Sequence, residues 1–179
     1  NTQVLDDATP VGTNGFQLTT ETNNQFGRIW LGDTLDLSDP LRLDFRILLG
    51  SKDASGADGI AFTMHQDPRG YDARGNVGGD LGVGETQSTP GPDQKVEPAV
   101  TIEFDTYQNG GGLGDPAYDH TNLFFNGNIE TTELGGGMGN GFPTIGLEKT
   151  NSENGYTLRV SIIIIADPIT PRQQLIELR

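Results

Sequence analysis

Residues 103–120 read EFDTYQNGGGLGDPAYDH and carry the densest set of candidate metal donors in the chain. The stretch opens as a strand, Val100 to Asp105. Because alternate side chains of a strand share a face, Glu103, Asp105, Tyr107 and Asn109 point one way while Ile102 and Phe104 point the other. The apolar side enters a core. The opposite side carries two carboxylates that repel unless something positive lies between them. A glycine-rich turn then returns Asp115 and, five residues on, His120. Oxygen donors from Asp105, Asn109, Asp115 and a backbone carbonyl suit a hard cation such as calcium, Ca2+. Glu103, Asp105, Asp115 and the imidazole of His120 suit a transition ion such as manganese, Mn2+. The segment therefore reads as a paired metal site, against the plainer alternative of a solvated acidic strand edge followed by an ordinary loop.

The chain has 179 residues, enough for one domain with a substantial core. Its 25 acidic and 11 basic residues give a net charge of −14, which disfavours phosphate backbones and anionic membranes, so no nucleic-acid partner is expected. The longest apolar run, Val160 to Ala166, is too short to span a bilayer, and membrane insertion is not expected. With 26 glycines, 10 prolines and short apolar segments between turn clusters, the chain predicts many strands and almost no helix. Predicted strands are Phe16–Thr19, Phe26–Leu31, Leu41–Leu49, Gly59–Met64, Val100–Asp105, Tyr156–Ile165 and Gln174–Leu178, with the segment Asn122–Phe125 following the metal stretch. Leu41, Leu43, Phe45 and Ile47 alternate with Arg42, Asp44 and Arg46, the cleanest period-two pattern in the chain. Gly59–Met64 lacks such alternation, as a strand covered on both faces would. Gln66 to Gln94 reads as a long binding loop. Asp67, Asp72, Asp80 and Asp93 within it show no regular ligand spacing. His65 reads as a loop or strand-end histidine, and Trp30 and Phe26 as packing residues. Short strands joined by turns imply two antiparallel sheets packed face to face, an all-β sandwich.

Three motifs in order resemble the L-type (legume-type) lectins of the concanavalin-like superfamily. The E-x-D-x-[YF]-x-N pattern is matched by Glu103, Asp105, Tyr107 and Asn109 and is followed by Asp115-Pro116 and His120; the intervening loop is about one residue longer than is usual, among glycines that accommodate it. Gly56-Ala57-Asp58-Gly59-Ile60-Ala61-Phe62 resembles the family's A-D-G-[IL]-A-F signature, and Gly78-Gly79-Asp80-Leu81-Gly82 its G-G-x-L-G run. The resemblance implies a jelly-roll β-sandwich, with residues 1–179 as one lectin-like domain. The stretch after His120 is short for that fold, which implies a truncated C-terminal part or a missing segment, and His120-Thr121-Asn122-Leu123 departs from the family's H-[IV]-G-I run.

The resemblance further implies a calcium-dependent carbohydrate site. Asp58 would accept hydrogen bonds from sugar hydroxyls, the Gly79 N–H and Asn109 would donate, and Tyr107 would provide an apolar platform. Asn109 through its amide oxygen and Tyr107 through its carbonyl would also bind calcium. The Ala57–Asp58 peptide is expected to be cis. Glycans are the implied partners and the exterior or cell surface the implied location, as in a bacterial adhesin joined to other domains of a larger surface protein. Two other classes remain. Laminarinase-like glycoside hydrolases share the jelly roll and carry E-x-D-x-x-E, but here the third position is Gln108, whose neutral amide cannot act as general acid, so no catalytic residue is expected. An adhesin module with structural calcium and a protein ligand is the other.

Overall fold

Leu41, Leu43, Phe45 and Ile47 all face the main core, which fixes the strand they belong to and the sheet opposite it. The computed structural model describes residues 2–51, 55–85, 95–109, 119–129, 157–166 and 174–178. Among these the chain runs through β1 (Thr2–Asp6), β2 (Thr9–Val11), β3 (Gly15–Gln17), β4 (Gly27–Leu31), β5 (Leu41–Leu48), β6 (Gly59–His65), β7 (Ala99–Asp105), β8 (His120–Phe125), β9 (Thr157–Ala166) and β10 (Gln174–Leu178). Every strand pairing among them is antiparallel. No helix among the described residues is long and apolar enough to cross a membrane.

Two three-stranded sheets, β10-β9-β5 and β6-β7-β8, form the layers. In the first, Phe45 lies opposite Val160, Leu43 opposite Ile162 and Leu41 opposite Ile164. These side chains meet Ile102 and Phe104 of β7, Leu123 of β8 and Ile60, Phe62 and Met64 of β6. The Phe45 and Phe62 rings stack at 5.2 Å between centroids. Ile102, Ile162 and Ile164 are almost wholly sequestered, and burial of each stabilises the fold by about 1.5–3 kcal/mol relative to leaving it in water.

The reverse face of β6-β7-β8 is covered too. Ala73 and Val83 from the loop after β6, with Val96 and Ala99, enclose Phe124 in a second cluster to which Ala61 contributes. This explains why β6 lacks polar alternation. The described part of the 66–94 loop, 66–85, therefore supplies core residues as well, and it folds into two short 3-10 turns, Gly70–Asp72 and Gly78–Asp80. The loop is bonded to itself, with Gly75 N–H donating to Gly82 O at 2.6 Å and Asn76 N–H to Gly84 O at 2.9 Å, and to the following segment, with Val96 N–H donating to Val83 O at 2.9 Å.

The pairing of β1 with β4, and the short strand β2, were not predicted. The expected strand Phe16–Thr19 begins earlier and ends earlier, as β3. His65 closes β6, its ring 4.4 Å from that of Trp30. The Gly135–Gly137 run and Tyr156 lie outside the described residues.

Candidate metal and saccharide site

Strand register assembles the first part of the site. Asp105 ends β7 and lies directly opposite Gly59 of β6 and His120 of β8; Glu103 lies opposite Ala61 and Asn122. Directly opposed residues share a face, so Glu103, Asp105 and His120 converge on the side away from the main core. All three are buried, and one donor atom from each lies within 4.8 Å of the others. His120 Nε2 is 3.4 Å from Glu103 Oε1. An imidazole, even protonated, offsets one of two carboxylates, so the residues present fit a divalent cation, which would balance both. Asp115, assigned to both ion sites from sequence, lies outside the described residues.

The second part is built beside the first. Asp58 directly precedes β6, and its carbonyl accepts from Thr106 N–H at 2.9 Å and from the Thr106 hydroxyl at 3.2 Å. Its Ala57–Asp58 peptide is cis, as the motif implied. Gly59 follows at φ +151°, and a Cβ there would lie 2.2 Å from the carbonyl oxygen of Phe104, so only glycine lets β6 start against β7 at this spacing. Thr106 is thus a residue that sequence reasoning missed. It stood inside the quoted stretch, but its role is visible only once the register brings Asp105 and Gly59 together.

Asn109 Nδ2 donates to Asp58 Oδ1 at 3.1 Å, which turns the amide so that its nitrogen serves the carboxylate and its oxygen lies at the other end. Tyr107 N–H donates to Asp105 Oδ1 at 2.7 Å, tying the chain after β7 to the buried carboxylate, while the Tyr107 side chain remains exposed. From the far loop, Gly79 closes on Asn109: a Cβ at Gly79 would sit 2.6–2.9 Å from the amide atoms. The structure therefore brings Asp58, Gly79 and Asn109 together, with Tyr107 at their edge and Glu103, Asp105 and His120 beneath. Gly79→Ala is expected to displace the Asn109 amide and weaken saccharide binding about tenfold, with little change in the unfolding midpoint; calorimetry beside thermal denaturation checks this.

The Asp67 carboxylate serves the loop and, among the described residues, joins no cation cluster; Asp93 lies outside them. The Arg69 guanidinium holds it well below the usual carboxylate range. Asp67 Oδ2 is 2.6 Å from Arg69 Nη2, and its oxygens also accept from the backbone N–H groups of Arg69 and Glu97.

The described residues thus form an antiparallel β-sandwich in which a buried carboxylate–imidazole cluster lies beside an Asp–Gly–Asn group. The family model described as the legume lectin domain matches residues 1–162, and the chain belongs to that family. Membership supports carbohydrate binding in general, and the fold is the family's all-β jelly roll.

Proposed function

We propose that this domain binds glycans in a calcium-dependent manner, outside the cell or at its surface, through Asp58, Gly79, Tyr107 and Asn109. The observation that carries the reading is the 3.1 Å bond between Asn109 Nδ2 and Asp58 Oδ1, because it joins the saccharide acceptor to the strand end that bears the metal donors. Glu103, Asp105, Asp115 and His120 would hold a transition ion such as manganese, and Asp105, Asn109, Asp115 and the Tyr107 carbonyl would hold calcium. A divalent cation there supplies the positive charge that lets two carboxylates share a dry site. The chain's own groups do the recognition: Asp58 accepts from sugar hydroxyls, the Gly79 N–H and Asn109 amide donate, and Tyr107 meets the ring face. Such sites are weak singly, so attachment to a surface draws on several copies or further domains.

A glycan array probed with the calcium-loaded protein and with Asp58→Ala tests the reading. The native protein is expected to retain a defined set of saccharides, and Asp58→Ala to lose roughly 30-fold in affinity, the loss of hydrogen bonds to a charged acceptor. An empty array, with binding to a peptide panel instead, would replace the reading with a protein-binding module.

A further inference from the structure

We propose that Val77 and Tyr107 flank the Asp58 group with apolar surface and select a neutral saccharide that carries a methyl group, as a 6-deoxy sugar or an N-acetylamino sugar does. This inference rests on the saccharide-binding reading above.

Val77 is 59% exposed and Tyr107 45%. A single exposed apolar side chain is ordinary on a protein surface. What distinguishes this pair is its placement on two separate segments beside one polar group. Val77, extended at φ −86° and ψ 177°, directly precedes the Gly78–Asp80 turn. A Cβ on Gly78 would lie 3.9 Å from Asp58 Oδ2, and Gly79 abuts the Asn109 amide. Val77 is thus one residue from the Asp58 carboxylate's neighbour and two from that of Asn109. On the second segment, Tyr107 follows Thr106, which holds the Asp58 carbonyl, and stands two residues before Asn109. Hydroxyls satisfy the carboxylate and amide in the middle, and only an apolar substituent gains by covering the flanks.

Two further features sharpen the ligand class. Asn76, next to Val77, is fixed through both backbone groups: its N–H donates to Gly84 O at 2.9 Å and its carbonyl accepts from Gly82 N–H at 2.7 Å. The valine is therefore presented on a held backbone, and little ordering cost is charged against the contact. The Asp58 carboxylate and a net charge of −14 disfavour uronic or sialic acids, leaving neutral sugars.

The test uses calcium-loaded protein and pairs of free sugars: D-fucose against D-galactose, L-rhamnose against L-mannose, and N-acetylglucosamine against glucose, with affinities from calorimetry or ligand-observed NMR. The expected result is a preference of about three- to fourfold for the methyl-bearing member of at least one pair, the gain from burying one methyl group. The pair that shows it distinguishes a 6-deoxy from an N-acetyl ligand. Val77→Ser should bring that ratio to about one with the unfolding midpoint unchanged, and Val77→Ile should keep it. Sugars that bind without methyl preference, or a preference that survives Val77→Ser, would overturn this inference and leave the lectin reading standing. If no member of any pair bound, this inference would fall, and only an empty glycan array would take the lectin reading with it.

Discussion

Asp105→Asn is expected to abolish the rise in unfolding temperature that divalent ions produce, and saccharide binding with it. Asp105 is 2% exposed, and Tyr107 N–H donates to its Oδ1. An asparagine oxygen can keep that bond, so the turn into Tyr107 survives while the charge is removed. With donor atoms of Glu103 and Asp105 no more than 4.8 Å apart, two ionised carboxylates repel by on the order of 3 kcal/mol at an effective dielectric of roughly 20. The variant in chelator should therefore be at least as stable as the native protein in chelator. The native protein in ions at about a hundred times Kd should gain about 2.7 kcal/mol, or about 5–10 °C in Tm, and the variant nothing. Thermal scans of both proteins in EDTA, calcium and manganese check this. Equal ion-induced shifts in native and variant protein would remove Asp105 from the ligand set.

Asp67→Ala is expected to destabilise the fold by about 3 kcal/mol, because it strands a largely buried guanidinium and two backbone N–H groups. The Arg69 side chain is 23% exposed and that of Asp67 is 2% exposed. Arg69 also donates from Nη1 to Arg74 O at 3.2 Å and from Nη2 to Lys95 O, so the pair clips the loop bearing Gly79 to the segment before β7. Since Asp67 has a lowered carboxylate pKa in the folded protein, its stabilisation is fully present above the ordinary aspartate value of about 3.9 and is lost as pH falls through the lower, folded value. Urea unfolding followed by fluorescence of Trp30, the single tryptophan, should show native stability falling with acidification below about pH 4, and a shallower dependence in Asp67→Ala. An unchanged midpoint at neutral pH would contradict the role given to the clip.

Much of this was legible in the sequence because β-strand alternation is a local signal. Leu41 to Ile47 announces its own buried face, and Glu103 with Asp105 announces a polar face on a strand whose other side is Ile102 and Phe104. The Asp58 and Gly79 motifs were legible only by their order along the chain, since neither has meaning until register sets Gly59 against Asp105. Other features were hidden for physical reasons. Thr2–Asp6 is short and carries few apolar residues, and it is a strand by virtue of pairing with β4. Ala73 and Val83 are small residues scattered among glycines, and their burial follows from how the loop folds back on Phe124. The Asp67–Arg69 clip looks like ordinary surface charge until Lys95 and Glu97 arrive from across the loop.

Glu103, Asp105 and His120 are expected to hold a divalent ion beside the Asp58 group. Anomalous difference maps from crystals grown with calcium and manganese, recorded on both sides of the manganese edge, measure this directly. A peak that vanishes below the edge is expected within about 2.6 Å of an oxygen of Glu103, an oxygen of Asp105 and an imidazole nitrogen of His120. Maps without a peak at these donors, from crystals in which the three side chains remain together, would contradict it.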